Sequence, residues 1–361
     1  MEITTVSTQW ASRPNDERFV SLTDLQSHVH AMRQDSRAKV VSSRGLQAVP
    51  VNGNSKALQV IGPNGGAVDV THWSFGQLAQ RAAAPAGYLR DLPAPLAADC
   101  INWGLYHRDV EDLGVLLYQN GGPATLRAVT GPNYGRIWNS SVVDALVSRF
   151  GDGLTGDFRV PGEFGKPVPI TKANTTLYAS DRDLFVFLAD EQHRIEIPNR
   201  RAGRYGDFAR GFLVWNSETG AQTLGFADFL YDYCCCNRII WGGQRYQEIR
   251  IRHTAGAPDR WIEAAMPAIE SYAQSSTTDI VAGIEAARQA RIENVDEFLG
   301  KRFSKSQVTA IKAAHMTDEQ RPIETLWDAA TGATAYARGI GYQDQRVSIE
   351  REAGKILKLA A

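Results

Sequence analysis

Residues 208–241 read FARGFLVWNSETGAQTLGFADFLYDYCCCNRIIW, the densest apolar and aromatic run in the chain. Gly211 to Trp215 has the composition of a buried strand, and Thr223 to Phe229 resumes it. Between them Asn216-Ser217-Glu218-Thr219-Gly220 supplies polar turn residues and a glycine able to take positive φ. The pattern predicts a buried hairpin. Leu230 to Trp241 then carries Cys234, Cys235 and Cys236 into a further apolar run, and no complete catalytic motif lies in the stretch.

The flanking chain offers further strands. Thr175 to Ser180 and Leu184 to Ala189 are joined by Asp181-Arg182-Asp183; Asp112 to Gln119 and Thr125 to Val129 by a turn at Asn120-Gly121-Gly122-Pro123; and Leu58 to Ile61 and Ala67 to Val70 by Gly62-Pro63-Asn64-Gly65-Gly66. Lys39 to Val51 is extended in composition, and residues 1–20 read as an arm or a strand that docks late.

Helices are expected from the Ser21 cap to Met32, within Thr71 to Leu92 with Ser74 as cap and Pro85 as break, and over Ala97 to His107. Another should start at an Asn139 or Ser140 cap, with Val142, Val143, Leu146 and Val147 inward. Gly151 to Pro169, rich in glycine and proline, reads as a long mobile loop or a boundary within the domain. From Asp259 onward the pattern is helical, with stripes Ile262, Met266, Ile269 and Tyr272, then Ile280, Ile284 and Ala287, then Phe298, Phe303, Val308 and Ile311.

These elements define an α+β chain with a mainly antiparallel sheet in the first two thirds and a C-terminal helical layer. The expected division is an N-terminal arm and small α/β segment (1–95), a sheet-rich core (96–256) and a helical region packed on the core (257–361).

Composition narrows the function classes. The 361 residues carry 39 Lys+Arg against 40 Asp+Glu, a net charge of -1, so no global basic field recruits nucleic acid and any such site must be a local patch. Four cysteines, three of them contiguous, make a poor disulfide framework and point to a reducing compartment. MEITTVSTQW lacks the basic and apolar regions of a leader, and no run of 18 apolar residues occurs, so a cytoplasmic protein with no membrane partner is expected.

Several stretches together resemble the phage/plasmid-like family called domain of unknown function 932. They are Arg127-Ala128-Val129-Thr130 with Tyr134-Gly135-Arg136-Ile137-Trp138-Asn139, the run Gly211 to Gly220, Leu230-Tyr231 through Cys236-Asn237, and Thr325-Leu326-Trp327-Asp328-Ala329-Ala330. The resemblance spans roughly residues 100 to 340. The chain departs from it in carrying Cys-Cys-Cys-Asn-Arg where the family commonly has one cysteine followed by Thr-Asn-Gly. The resemblance implies a home in phages, prophages and plasmids; it implies no activity and carries over no catalytic residue.

Candidate sites are weighed against plainer readings. Gly151-Asp152-Gly153-Leu154-Thr155-Gly156 matches G-x-G-x-x-G but follows a helix rather than a strand, which makes it a helix C-cap and loop. Gly162-Glu163-Phe164-Gly165-Lys166 lacks the spacing of a phosphate loop. Cys234, Cys235 and Cys236 have no second Cys or His cluster at zinc spacing and default to buried small residues, so no metal site and no cofactor is assigned. His72, His107 and His193 stand without a sequence-near acid or nucleophile in a recognisable pattern.

The constellation that points to a ligand mixes cations and rings: Tyr134 and Arg136, then Arg194, Arg200, Arg201, Arg204 and Tyr205, then Arg245, Tyr246, Arg250 and Arg252. Arginine pairs with phosphate and tyrosine stacks on an unpaired base, the two needs of a single-strand groove. The expectation is a non-enzymatic protein binding single-stranded DNA in replication or recombination, acting as a homo-oligomer. Two rivals are a self-assembling structural module and a metal-dependent phosphodiester enzyme in which Asp181, Asp183 or Asp190 meets His193 across a cleft.

Overall fold

The computed structural model describes residues 13–54, 56–162, 168–197, 206–232, 237–239, 249–274, 276–341 and 343–360. The chain starts with β1 (Arg18–Phe19) and α1 (Leu22–Gln34), whose N-cap Ser21 accepts from the Asp24 amide as expected. Next come β2 (Ser36–Ser42), β3 (Gln47–Pro50), β4 (Leu58–Ile61) and β5 (Ala67–Val70), then α2 (His72–Arg81), α3 (Ala86–Asp91) and α4 (Ala94–His107). The strands β6 (Asp112–Tyr118) and β7 (Thr125–Thr130) complete a six-stranded sheet of order β2-β6-β7-β5-β4-β3. It is antiparallel except for β5 against β7, and it takes strands from both sides of residue 95. Leu58, Val60, Val70, Leu113 and Val115 meet Phe75 and Leu78 of α2 and Ile101 and Leu105 of α4 in its core.

A larger sheet follows α5 (Asn139–Phe150). Its strands are β1, β8 (Phe158–Arg159), β9 (Leu177–Ala179), β10 (Leu184–Asp190), β11 (Ile195–Ile197), β12 (Gly206–Asn216), β13 (Leu224–Asp232), β14 (Asn237–Ile239) and β15 (Ile249–Ile251), all joined antiparallel. The expected hairpin is β12–β13, with Trp215 opposite Gly225. One face of this sheet, Val186, Leu188, Phe212 and Val214, buries Leu22 and Leu25 of α1, Val142 and Leu146 of α5, and Trp261 and Ile269 of α6 (Ala257–Gln274). The other carries Phe185, Phe187, Leu213 and Trp215.

The C-terminal helices α7 (Thr278–Gln289), α8 (Val295–Gly300), α9 (Lys305–Glu319), α10 (Leu326–Arg338) and α11 (Gln343–Leu357) share a core with Ile195, Phe208 and Leu230 of the large sheet. The α+β arrangement is the expected one: antiparallel-rich sheets first, helices after. Within it α10 is buried nearly all round, and its Ala329, Ala330, Ala333 and Ala337 are small enough to let neighbouring helices close on every side.

Four local expectations are corrected. Thr71, not Ser74, caps α2; Ser74 is the third helical residue of a reciprocal capping box, which the one-letter pattern does not distinguish. Neither Asn139 nor Ser140 caps α5, whose cap residue is Trp138 with no side-chain bond, because a distant carboxylate supplies the acceptor. Gly151 to Pro169 is not one long loop: Phe158 is 3% exposed and β8 pairs with β10. Ile262 is 46% exposed, and Trp261 and Ala265 take the buried stripe of α6 in its place.

Candidate nucleic-acid interface

The hairpin tip lies at the junction of the two sheets. Asn216, Ser217, Glu218 and Thr219 are at most 2% exposed, so the polar atoms they bring need protein partners, and of their side-chain atoms Asn216 Oδ1 alone lacks one. Glu218 Oε2 accepts from Arg127 Nη1 of β7 at 3.0 Å and Oε1 from the Asn139 amide at 2.9 Å. Arg127 also donates to the Asp181 carbonyl. Asn216 Nδ2 donates to the Ile137 carbonyl and to Asn139 Oδ1. The Thr219 carbonyl accepts from Trp73 Nε1 and Gln77 Nε2 of α2, and Ser217 Oγ donates to the Arg182 carbonyl. One turn thereby ties α2, β7, α5 and the β9–β10 connection together.

Tyr134 and Arg136, expected in a groove, belong to this buried junction. Tyr134 donates its hydroxyl to the Ser217 carbonyl at 2.8 Å and stacks on His253 with ring centroids 4.9 Å apart; burial pushes its pKa up. Arg136, 9% exposed, donates to the Glu218 carbonyl and lies 5.2 Å from the Tyr134 ring, and burial lowers its pKa. Both hold the loop to the hairpin, Arg136 buried and Tyr134 half-buried.

The remaining groove residues are divided by β12. Arg194 is exposed just before β11, beside Phe208, whereas Arg250 on β15 and the exposed Arg252 lie at the Trp215 end. Phe208 and Trp215 are seven residues apart, about 23 Å at a strand rise of roughly 3.3 Å. Arg194 is therefore not brought beside Arg250 and Arg252. Arg200, Arg201, Arg204, Tyr205, Arg245 and Tyr246, with Cys234, Cys235 and Cys236, lie outside the described residues.

Of the three carboxylates only Asp190 meets His193, three residues along the same connection rather than across a cleft, and among the described residues no second carboxylate joins them there. Asp181 and Asp183 precede β10 while Asp190 ends it and His193 follows, again some 23 Å of strand by the same rise. Asp183 is held by Arg13 Nη2 at 3.1 Å and Ser180 Oγ at 2.9 Å, and burial raises its pKa in spite of Arg13. Asp190 is fully buried and accepts from Arg210 Nε and Nη2, each at 3.0 Å, with His193 Nδ1 at 3.1 Å. Among the described residues no three His, Cys, Asp or Glu are grouped to hold a metal ion.

The surface that the sequence reading missed is α4. Gly104 packs against the end of α2 so closely that a Cβ would come within 2.2 Å of the Ala82 carbonyl oxygen. With Ile101 and Leu105 turned to the core, Trp103 (65% exposed) and Tyr106 (66% exposed) are turned out. His107 stacks on Trp103 with centroids 4.3 Å apart, its Nδ1 at 2.8 Å from the Trp103 carbonyl, and Arg44 sits 5.4 Å from the Tyr106 ring. Tyr88 of α3 is also exposed, and the exposed Arg108 follows the helix. A signal was present: α4 has two apolar stripes, and Asp99 is its one Asp, Glu, Lys or Arg, whereas a surface helix ordinarily needs one stripe.

Comparison of the chain with protein-family models, with curated proteins and with solved structures gives no match. Among the described residues no helix is long and apolar enough to cross a membrane.

Proposed function

We propose that the protein binds single-stranded nucleic acid, in replication or recombination on a phage or plasmid. The observation that carries the reading is the set of exposed rings on α4, Trp103, Tyr106 and His107, with Arg44 against Tyr106. Exposed rings offer faces to unpaired bases at about 1–3 kcal/mol each, and a flanking guanidinium meets the backbone. The mobile-element setting rests on the family resemblance of the hairpin and its neighbouring motifs.

Fluorescence anisotropy with single-stranded and duplex oligonucleotides at two salt concentrations tests it. Single strands are expected to bind more tightly. With Arg44 and Arg108 as the phosphate contacts, the salt slope should be shallow, about -1.4. Trp103→Ala with Tyr106→Ala should weaken binding at least about thirtyfold, the loss of two stacks. Absence of binding at low salt would overturn the reading.

A second reading is favoured by the spacing of Leu96, Cys100 and Trp103, all exposed and set four and three residues apart along α4. That is the spacing of a helix seam, and a second copy laid on it would cover them. Sedimentation without nucleic acid decides: discrete oligomers abolished by Trp103→Glu would support assembly, and a monomer would exclude it.

A further inference from the structure

On the second face of the large sheet, Trp215 pairs with both Phe185 and Gly225, and Gly225 pairs with Arg250, so the four share one side. The indole lies across Gly225: a Cβ there would come within 1.9 Å of Trp215 Cζ2. It therefore reaches from β12 toward β15 and Arg250. Above it α11 sets Val347 and Arg351 one turn apart, with the Arg351 guanidinium 5.1 Å from the indole centroid. With Phe185, Leu213 and Gln222 these residues line a half-open cavity of about 160 Å3.

We infer that this cavity takes one pyrimidine nucleotide. Its volume is close to the roughly 150 Å3 of an apolar cavity that admits benzene, so one six-membered ring fills it and a fused pair would extend out of its open side. Phe185, Leu213, Trp215 and Val347 form an apolar wall suited to a flat ring. The Gln222 amide carries both a donor and an acceptor for the polar edge of a base, a need that a plain aromatic ring does not have. Arg351, and Arg250 beyond the indole, supply cations for the phosphate. The ligand is either a free nucleotide or a nucleotide of a bound strand; the strand alternative deepens the nucleic-acid reading and rests on it, while the free-nucleotide alternative does not.

Isothermal titration of the full chain with UMP, CMP, AMP and inorganic phosphate tests the inference. UMP or CMP should bind, with AMP and phosphate each at least about tenfold weaker. Val347→Phe, which fills the cavity, should abolish the binding, and Arg351→Gln should weaken it at least about tenfold. Trp103→Ala with Tyr106→Ala should leave UMP binding unchanged, which keeps this site's failure separate from failure of the α4 surface. Competition by an oligo-dT strand would place a strand nucleotide in the cavity, and UMP binding indifferent to the strand would place a free nucleotide there. No heat from any nucleotide at millimolar concentration, or UMP binding unaltered in both cavity variants, would overturn the inference.

Discussion

Glu218 and Arg127 are each 2% exposed and 3.0 Å apart, so removing one leaves the other charged and buried. Glu218→Ala should cost about 3–5 kcal/mol in denaturant unfolding, and Arg127→Met added to it should recover most of that loss. A single variant within about 1 kcal/mol of the parent would show the pair to be dispensable. His253 gives a second residue-scale test. Burial lowers its pKa to about 4, the Gly135 carbonyl opposing and the Arg136 cation reinforcing. The unfolded chain therefore takes up a proton that the folded chain refuses, so this contribution is full above about 6.5 and is lost as pH falls through 6.5 toward 4. Its share of the melting temperature is lost across that window, while Glu17, which burial raises to about 7, acts in the opposite sense. Relative to His253→Gln, the parent should lose melting temperature as pH falls from 6.5 to 4, and no change in that difference would contradict the burial of His253; His72, which burial with Arg90 and Arg182 lowers to about 4, contributes in the same sense in both proteins.

Among elements, the start of α5 shows what local pattern leaves out. Asn139 and Ser140 are good capping residues by type, yet the acceptor for the Asn139 amide comes from Glu218, 79 positions along the chain. The hairpin, in contrast, was legible: apolar and aromatic runs about a glycine-closed polar turn placed both strands, although β12 starts at Gly206 rather than Gly211 and β13 runs on to Asp232. What the pattern did not convey is that the indole of Trp215 needs the space over Gly225. Gly225→Ala is expected to cost about 1–3 kcal/mol by forcing the ring aside. Near-ultraviolet circular dichroism should report the altered tryptophan environment, and an unchanged spectrum with parental stability would contradict the packing. On α4 the two apolar stripes were visible, but only the close approach of Gly104 to Ala82 decided which one faces out.

For the whole molecule, the hairpin tip makes the two sheets one cooperative structure. The bonds from Trp73, Gln77 and Arg127 reach it from the six-stranded side, and those from Asn139 and Arg182 from the other. Unfolding should therefore be a single transition in the parent chain. In Glu218→Ala the amides of β4 and β5, far from the tip, are expected to exchange hydrogen at a lower free energy than those of β12; equal protection in both sheets would show that the apolar contacts alone couple them.

The sequence by itself determined the α+β class, the strands of the central hairpin, most helix positions and the absence of a global basic field, because these follow from periodicity and composition within a window of a few residues. Only the tertiary structure decided which charged and aromatic groups are available. Tyr134 and Arg136 pair with a turn some 80 residues away, which buries Arg136 and half-buries Tyr134; Arg194 is separated from Arg250 by the length of a strand; Trp103 and Tyr106 are turned out by the packing of a glycine. Exposure depends on contacts between distant segments, and one residue's type does not reveal which distant neighbour will cover it.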